Sequence, residues 1–246
     1  MSQDISDGPP SLPLKPSLWR QPGPWFVRKL KLKLADLVAP FRLRVIDGVD
    51  FSALRIGDEV AHVLDVGAAD GTPDLYQRLP KARLELFEPQ PCHHETLCRR
   101  VLSQRAGQLH PVALGESEGS AQLALTGRTG ASLVAKTKLD GSVAETIDVP
   151  VRRLDSIIKS SDLRRPSLLK IDTEGYELAV LRGATKLLDA VDIAVVEVHF
   201  DKPNLYKPYE IVDLLGDYGL KLVDMLDHHV RAHHVVCADL VFVRSD

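Results

Sequence analysis

The segment His62-Val63-Leu64-Asp65-Val66-Gly67-Ala68-Ala69-Asp70-Gly71 constrains this chain more than any other. An apolar run ends in an acid, two glycines four apart follow, and a second apolar run, Leu84 to Phe87, ends in Glu88-Pro89. A parallel α/β sheet builds a nucleoside site in this way, at the carboxyl ends of its first two strands. The glycines let backbone approach a ligand with no Cβ between them, and Glu88 suits a pair of ribose hydroxyls. A dinucleotide fold would show G-x-G-x-x-G, its third glycine opening a helix toward a pyrophosphate. Here the register is G-A-A-D-G, and Asp70 stands where an anionic phosphate would pass. A ligand carrying adenosine without phosphate fits better, and S-adenosylmethionine is the usual one.

A chain of 246 residues accommodates one α/β domain with extensions, and its 44% hydrophobic and 26% charged content is that of a soluble globular protein. A net charge of −3 gives no overall attraction to nucleic acid. Cys92, Cys98 and Cys237 are odd in number and lack C-x-x-C spacing, the pattern of reduced thiols in a cytoplasmic protein. No apolar run reaches membrane-spanning length, and the amino terminus lacks a signal-peptide pattern.

Residues 1–24 hold Pro9, Pro10, Pro13, Pro16, Pro22 and Pro24 and read as an extended leader. Residues 25–59 read as a basic amphipathic helix and a linker. Phe26, Leu30, Leu34, Leu37, Val38 and Phe41 fall at helical spacing, with Arg28, Lys29, Lys31 and Lys33 opposite. Such a helix either lies on an anionic membrane surface, with Trp19 and Trp25 beside it, or packs its stripe on the rest of the protein.

Residues 60–246 alternate strand and helix patterns. Strands are expected at His62–Val66, Leu84–Phe87, Leu109–Leu114, Ser167–Ile171 and Ile193–Val198, with helices near Pro73, over Glu95–Gln104, from Glu177 to Leu188 and over Tyr209–Tyr218. Residues 119–152 break the rhythm and read as a small antiparallel insertion. Leu220–Met225 and Val235–Val243 are expected to close a doubly wound, mostly parallel sheet as an antiparallel hairpin.

The second chemical motif is Leu168-Leu169-Lys170-Ile171-Asp172-Thr173-Glu174-Gly175. A buried strand delivers Asp172 and Glu174 at its carboxyl end, where open α/β sheets hold ligands. These carboxylates are candidates for a base and its orienting partner; the alternative is that they favour a helix amino terminus through its dipole. Strand five ends in Glu197 and His199, and His199, with an ordinary pKa near 6.5, is the other candidate base. A divalent metal on Asp172 and Glu197 lacks a third visible ligand, so none is expected. His228, His229, His233 and His234 flank Val230-Arg231-Ala232 and read as an exposed hairpin turn rather than a metal cluster.

Taken in order, Asp65-Val66-Gly67-Ala68, Phe87-Glu88-Pro89, Val112-Ala113-Leu114, Arg153-Leu154-Asp155-Ser156-Ile157, Lys170-Ile171-Asp172-Thr173-Glu174-Gly175 and Leu181-Arg182-Gly183-Ala184 resemble the FkbM-type S-adenosylmethionine-dependent methyltransferases. The resemblance covers roughly residues 60–245. It implies the class I methyltransferase (Rossmann-like) fold and, usually, O-methylation of a hydroxyl on a glycan or other small metabolite. The candidate cofactor-binding residues are then Asp65, Gly67, Ala68, Asp70, Gly71, Glu88, Pro89 and Ala113, and the candidate catalytic residues are Asp172, Glu174 and His199. The family usually has asparagine where this chain has Ala69, and its helix after Gly71 carries no proline like Pro73. These departures leave two other readings open: a nucleoside-binding protein without turnover, or a membrane-recruited scaffold. Residues 126–145, with Arg128, Ser132 and Lys136, are expected to contact the acceptor.

Overall fold

The computed structural model describes residues 60–125, 145–202, 205–231 and 233–245, with short pieces at 45–46, 49–50 and 131–132. Residues 1–42 lie outside the described residues, and with them the leader and the basic helix expected there. Arg128 and Lys136 fall outside them too.

In chain order the elements are β1 (Val45–Ile46), β2 (Val49–Asp50), β3 (His62–Val66), α1 (Pro73–Arg78), β4 (Arg83–Phe87), α2 (Pro91–Thr96), β5 (Gly107–His110), β6 (Ala113–Leu114), β7 (Gly119–Leu125), β8 (Ala131–Ser132) and β9 (Glu145–Arg152). There follow α3 (Leu154–Ile157), β10 (Ser167–Ile171), α4 (Glu177–Arg182), α5 (Thr185–Leu188), β11 (Ile193–His199), α6 (Pro208–Asp217), β12 (Leu220–Arg231) and β13 (His234–Arg244). Seven strands form the main sheet in the order β12-β13-β11-β10-β3-β4-β5. The pairs from β11 to β5 are parallel, and β13 and β12 run antiparallel at one edge. This is the doubly wound order of the class I methyltransferase fold. The chain reverses direction across the sheet between β3 and β10, and ligands of such sheets bind in that crevice.

Each central strand is apolar on both faces, as a sheet covered by helices on both sides requires. All five residues of β3 are buried. Leu64, Val66, Leu169, Ile171, Ala194 and Val196 pack with Leu181, Leu187, Ile211 and Leu215 from α4, α5 and α6. Val63, Leu168 and Ile193 pack on the other face with Leu75 and Tyr76 from α1 and with Leu97. Pro73, Pro91 and Pro208 each open a helix, where a pre-set φ helps and the missing N–H costs nothing.

Four elements differ from expectation. The strand expected over Leu109–Leu114 is cut by a tight turn at Pro111, with the Val112 N–H donating to the His110 carbonyl at 2.9 Å. β5 stays in the main sheet, while β6 pairs parallel with β9 in a second sheet of order β6-β9-β7-β8; β7 and β9 are the expected antiparallel insertion. The helix expected over Glu95–Gln104 begins at Pro91 and continues through a π turn at Leu97–Val101 and a 3-10 turn at Leu102–Gln104. The helix from Glu177 breaks at Gly183, where a Cβ would lie 2.0 Å from the carbonyl oxygen of Gly115. The closing hairpin is longer than its apolar cores, so His228 and His229 lie in β12, His234 opens β13, and His233 occupies the turn at φ +69°.

Candidate active site

The carboxyl ends of β3, β4, β10 and β11 converge on a cavity of about 280 Å³. Gly67 makes the convergence possible. It adopts φ +79°, and a Cβ there would lie 1.8 Å from the backbone oxygen of Asp172. Its N–H and that of Ala68 donate to the Phe87 carbonyl at 3.0 and 3.2 Å, and Asp172 N–H donates to the Val66 carbonyl at 3.0 Å. Three strand ends are thereby held together by backbone alone.

Glu88 lies beside this junction, 3% exposed. Its Oε2 accepts the N–H of Ala69 at 2.7 Å and its Oε1 that of Gln90 at 2.8 Å. Burial raises its pKa even against these two hydrogen bonds. A carboxylate oxygen can accept more than one hydrogen bond, so both retain capacity for hydroxyls in the cavity. Ala69 itself sits at φ +45°, in the left-handed region.

Gly67, Glu88, Pro89, Ala113, Asp172 and Glu174 line the cavity; Asp65, Ala68, Asp70, Gly71 and His199 are not among its lining residues. Asp65 points into the opposite face. It is fully buried and accepts hydrogen bonds from the hydroxyls of Thr72, at 2.9 Å, and Tyr76. Its cross-strand neighbour Lys170 lies 3.6 Å away and also reaches Asp172 Oδ2 at 3.2 Å. Burial works against the Lys170 charge, but the two carboxylates outweigh it and raise its pKa. Asp70 bonds His93 Nδ1 at 2.9 Å and so ties the loop after β3 to α2. His199 stands behind Glu197, with its Nε2 3.2 Å from Oε2. The lining also includes Ala69, within the loop the sequence assigns to the ligand, and Gln90, Thr173 and Tyr176, which the sequence does not single out. Thr173 lies within the K-I-D-T-E-G segment and Tyr176 directly follows it, and that proximity is the available signal. Leu123, from the second sheet, had none.

Glu88, Asp172, Glu174 and Glu197 give the cavity four carboxylates, and no Lys, Arg or His occurs among its described lining residues. Such a wall repels phosphate and attracts a cation. A second, more open cavity of about 400 Å³ abuts it, lined by Asp172, Glu197, His228, His229 and Asp239. Consecutive strand residues normally face opposite ways. The register slips between Leu226 and His229, and this bulge accounts for two adjacent histidines facing one space.

The profile of the methyltransferase FkbM domain matches residues 65–222. A protein of Haloferax volcanii named hexuronic acid methyltransferase AglP is 32% identical over 159 residues, covering 63% of this chain and 62% of that protein. Methyltransferase 1 of Beauveria bassiana is 31% identical over 160 residues, covering 55% of this chain and 64% of that protein. The chain thus spans less than two thirds of the length of both. Among solved structures, magnesium protoporphyrin IX methyltransferase from Synechocystis, with bound SAM, superposes with a TM-score of 0.45 at 12% identity, over 89% of this chain and 82% of that one.

Proposed function

Because the chain belongs to the methyltransferase FkbM domain family, we propose that it transfers the methyl group of S-adenosylmethionine to a hydroxyl on a glycan or other small metabolite. The observation that carries the reading is the cavity at the strand ends, with four carboxylates and no basic residue among its described lining. It fits a neutral ribose diol and a cationic sulfonium, and it disfavours the phosphates of a dinucleotide. Its volume of about 280 Å³ lies near the lower end of the ~300–1,000 Å³ common for ligand pockets.

Glu88 would hold the ribose hydroxyls, and the backbone from Gly67 to Ala69 would face the methionine portion. Bound S-adenosylmethionine supplies an activated methyl: as the acceptor oxygen bonds to carbon, the carbon–sulfur bond breaks and its electron pair stays on sulfur. The protein must align the acceptor and exclude water, a contribution of about 7–11 kcal/mol when geometry is right. The acceptor's proton must also leave. Asp172 lines both cavities and is fixed by Lys170 on Oδ2, which leaves Oδ1 to take that proton. A positioned base contributes about 10²–10⁴-fold. The acceptor would enter by the open cavity of His228, His229 and Asp239. A relative named for hexuronic acid makes sugar-bearing acceptors the first class to try.

Titration calorimetry tests the cofactor half. Saturable S-adenosylhomocysteine binding is expected, weakened at least about tenfold, or 1.4 kcal/mol, in Glu88→Gln. No heat at millimolar ligand, or unchanged affinity in that variant, overturns it. For the chemical half, Asp172→Asn should keep the fold and lose at least about tenfold in turnover. Wild-type turnover would move the base to Glu174 or His199.

A further inference from the structure

At the edge of the cofactor cavity lies a cluster that shares Glu197 with it. Glu177, Glu197 and His199 each bring one donor atom to within 4.8 Å of the others'. Glu177 is 0% exposed. Its Oε1 accepts the Thr173 N–H and hydroxyl, both at 3.1 Å, and the Gly175 N–H at 2.8 Å. Three donors lock the carboxylate, yet, with the Tyr206 hydroxyl as the donor near it, its buried Oε2 makes no well-aligned hydrogen bond among the described residues. The same holds for Oε2 of Glu197, which lies 3.2 Å from His199 Nε2 without the alignment of a hydrogen bond. Buried carboxylate oxygens without donors are costly unless a cation serves them. Two ligands each about 2.1 Å from one ion, at near right angles, lie roughly 3 Å apart; Glu197 and His199 stand at 3.2 Å, and Glu177 lies within 4.8 Å of both.

A positive charge already touches this cluster. Lys202 Nζ is 3.2 Å from His199 Nε2 and has a second anionic partner in Glu174, 3.8 Å away. The ammonium can therefore leave the cluster without losing every counter-charge. The Tyr206 hydroxyl, which accepts the His199 N–H at 3.2 Å, completes the polar surroundings; burial and the charge of Glu177 keep its phenol protonated.

We propose that Glu177, Glu197 and His199 bind a divalent first-row transition-metal ion, with Lys202 as the charge that occupies the cluster when the ion is absent. Two carboxylates and an imidazole suit Mn²⁺ or Zn²⁺ better than Ca²⁺ or Cu⁺. Glu197 also lines the cofactor cavity, which places the ion at its edge. If the methyltransferase reading holds, and this clause rests on it, the acceptor hydroxyl is the natural further ligand.

The test uses full-length protein stripped with chelator and titrated with Mn²⁺, free ion being read from its electron paramagnetic resonance signal. Saturable binding of one ion per chain is expected, weakened at least about tenfold in Glu177→Gln and in His199→Ala. Lys202→Met should bind Mn²⁺ more tightly, and its melting temperature should fall in chelator and recover with Mn²⁺. No binding at millimolar Mn²⁺ in either wild type or Lys202→Met overturns the proposal, as does binding indifferent to Glu177→Gln and His199→Ala. Calorimetry with S-adenosylhomocysteine on the same stripped protein separates the two ideas: ligand heat without Mn²⁺ binding sinks the metal site and leaves the methyltransferase reading standing.

Discussion

Two residues, Gly67 and Ala69, show how narrowly the loop after β3 is built. Gly67→Ala would place a methyl 1.8 Å from the Asp172 carbonyl oxygen and force an L side chain to φ +79°. A loss of about 3 kcal/mol or more is expected, readable as a lowered denaturation midpoint. Ala69 is the reverse case. At φ +45° alanine is strained, whereas asparagine tolerates the left-handed region. The family's usual asparagine at this place thus has a backbone reason. Ala69→Asn should raise the melting temperature by a few degrees, on the order of 1 kcal/mol, while S-adenosylhomocysteine affinity holds; a lower melting temperature would contradict it. The loop and Glu88 were legible from spacing because glycines and acids at strand ends leave few alternatives. The face on which each residue lands was not. Asp65 and Gly67 look alike as ligand candidates, but Asp65 shares the face of Val63 and turns toward Tyr76 and Lys170, whereas Gly67 has left the strand at φ +79°.

Elements were legible wherever apolar runs were continuous. β3, β4, β10 and β11 lie where their patterns put them, because a strand buried on both faces has no other way to hide its side chains. Boundaries failed where a distant backbone intervened. The break between α4 and α5 comes from Gly115, more than sixty residues earlier in the chain, and no periodicity carries that information. Gly183→Ala should cost about 1–3 kcal/mol and lower the melting temperature, since the added Cβ would lie 2.0 Å from the Gly115 oxygen. A second element-scale prediction concerns pH. Glu85 on β4 is 3% exposed and accepts hydrogen bonds from His110 at 2.7 Å and Arg83 at 2.7 Å, with His62 at 3.7 Å. Burial opposes its charge, but these partners prevail and hold its pKa at about 2, against 4.5 ordinarily. A depressed carboxylate pKa stabilises the fold above the unfolded value and loses that contribution as acidification approaches the folded one. Urea midpoints should therefore fall between about pH 5 and pH 2, by up to about 3 kcal/mol, and less steeply in Glu85→Gln.

Across the whole molecule, the order of the main sheet leaves β12 as one outer edge, where Leu222, Val223, Met225 and Val230 are all largely exposed. Long apolar edges template pairing with other chains, and an edge lysine opposes it. Met225→Lys should raise the temperature at which light scattering begins on heating while leaving the unfolding midpoint nearly unchanged; equal scattering in both proteins would clear this edge of blame. The hairpin is expected from the stretches Leu220–Met225 and Val235–Val243, but its length and bulge are not, because polar residues such as His228 and His229 extend strands that an apolar pattern would end. The hairpin also sets a timetable. β13 enters the sheet between β11 and β12 although it leaves the ribosome after both. Until residue 244 has emerged, β11 has no neighbour on that side, and the strand carrying Glu197 and His199 stays an open edge. Every nascent chain therefore passes through a moment with the loops after β3, β4 and β10 synthesised and the β11 end of the sheet unguarded. A premature stop within β13 would leave the protein in that condition permanently, a client for chaperones.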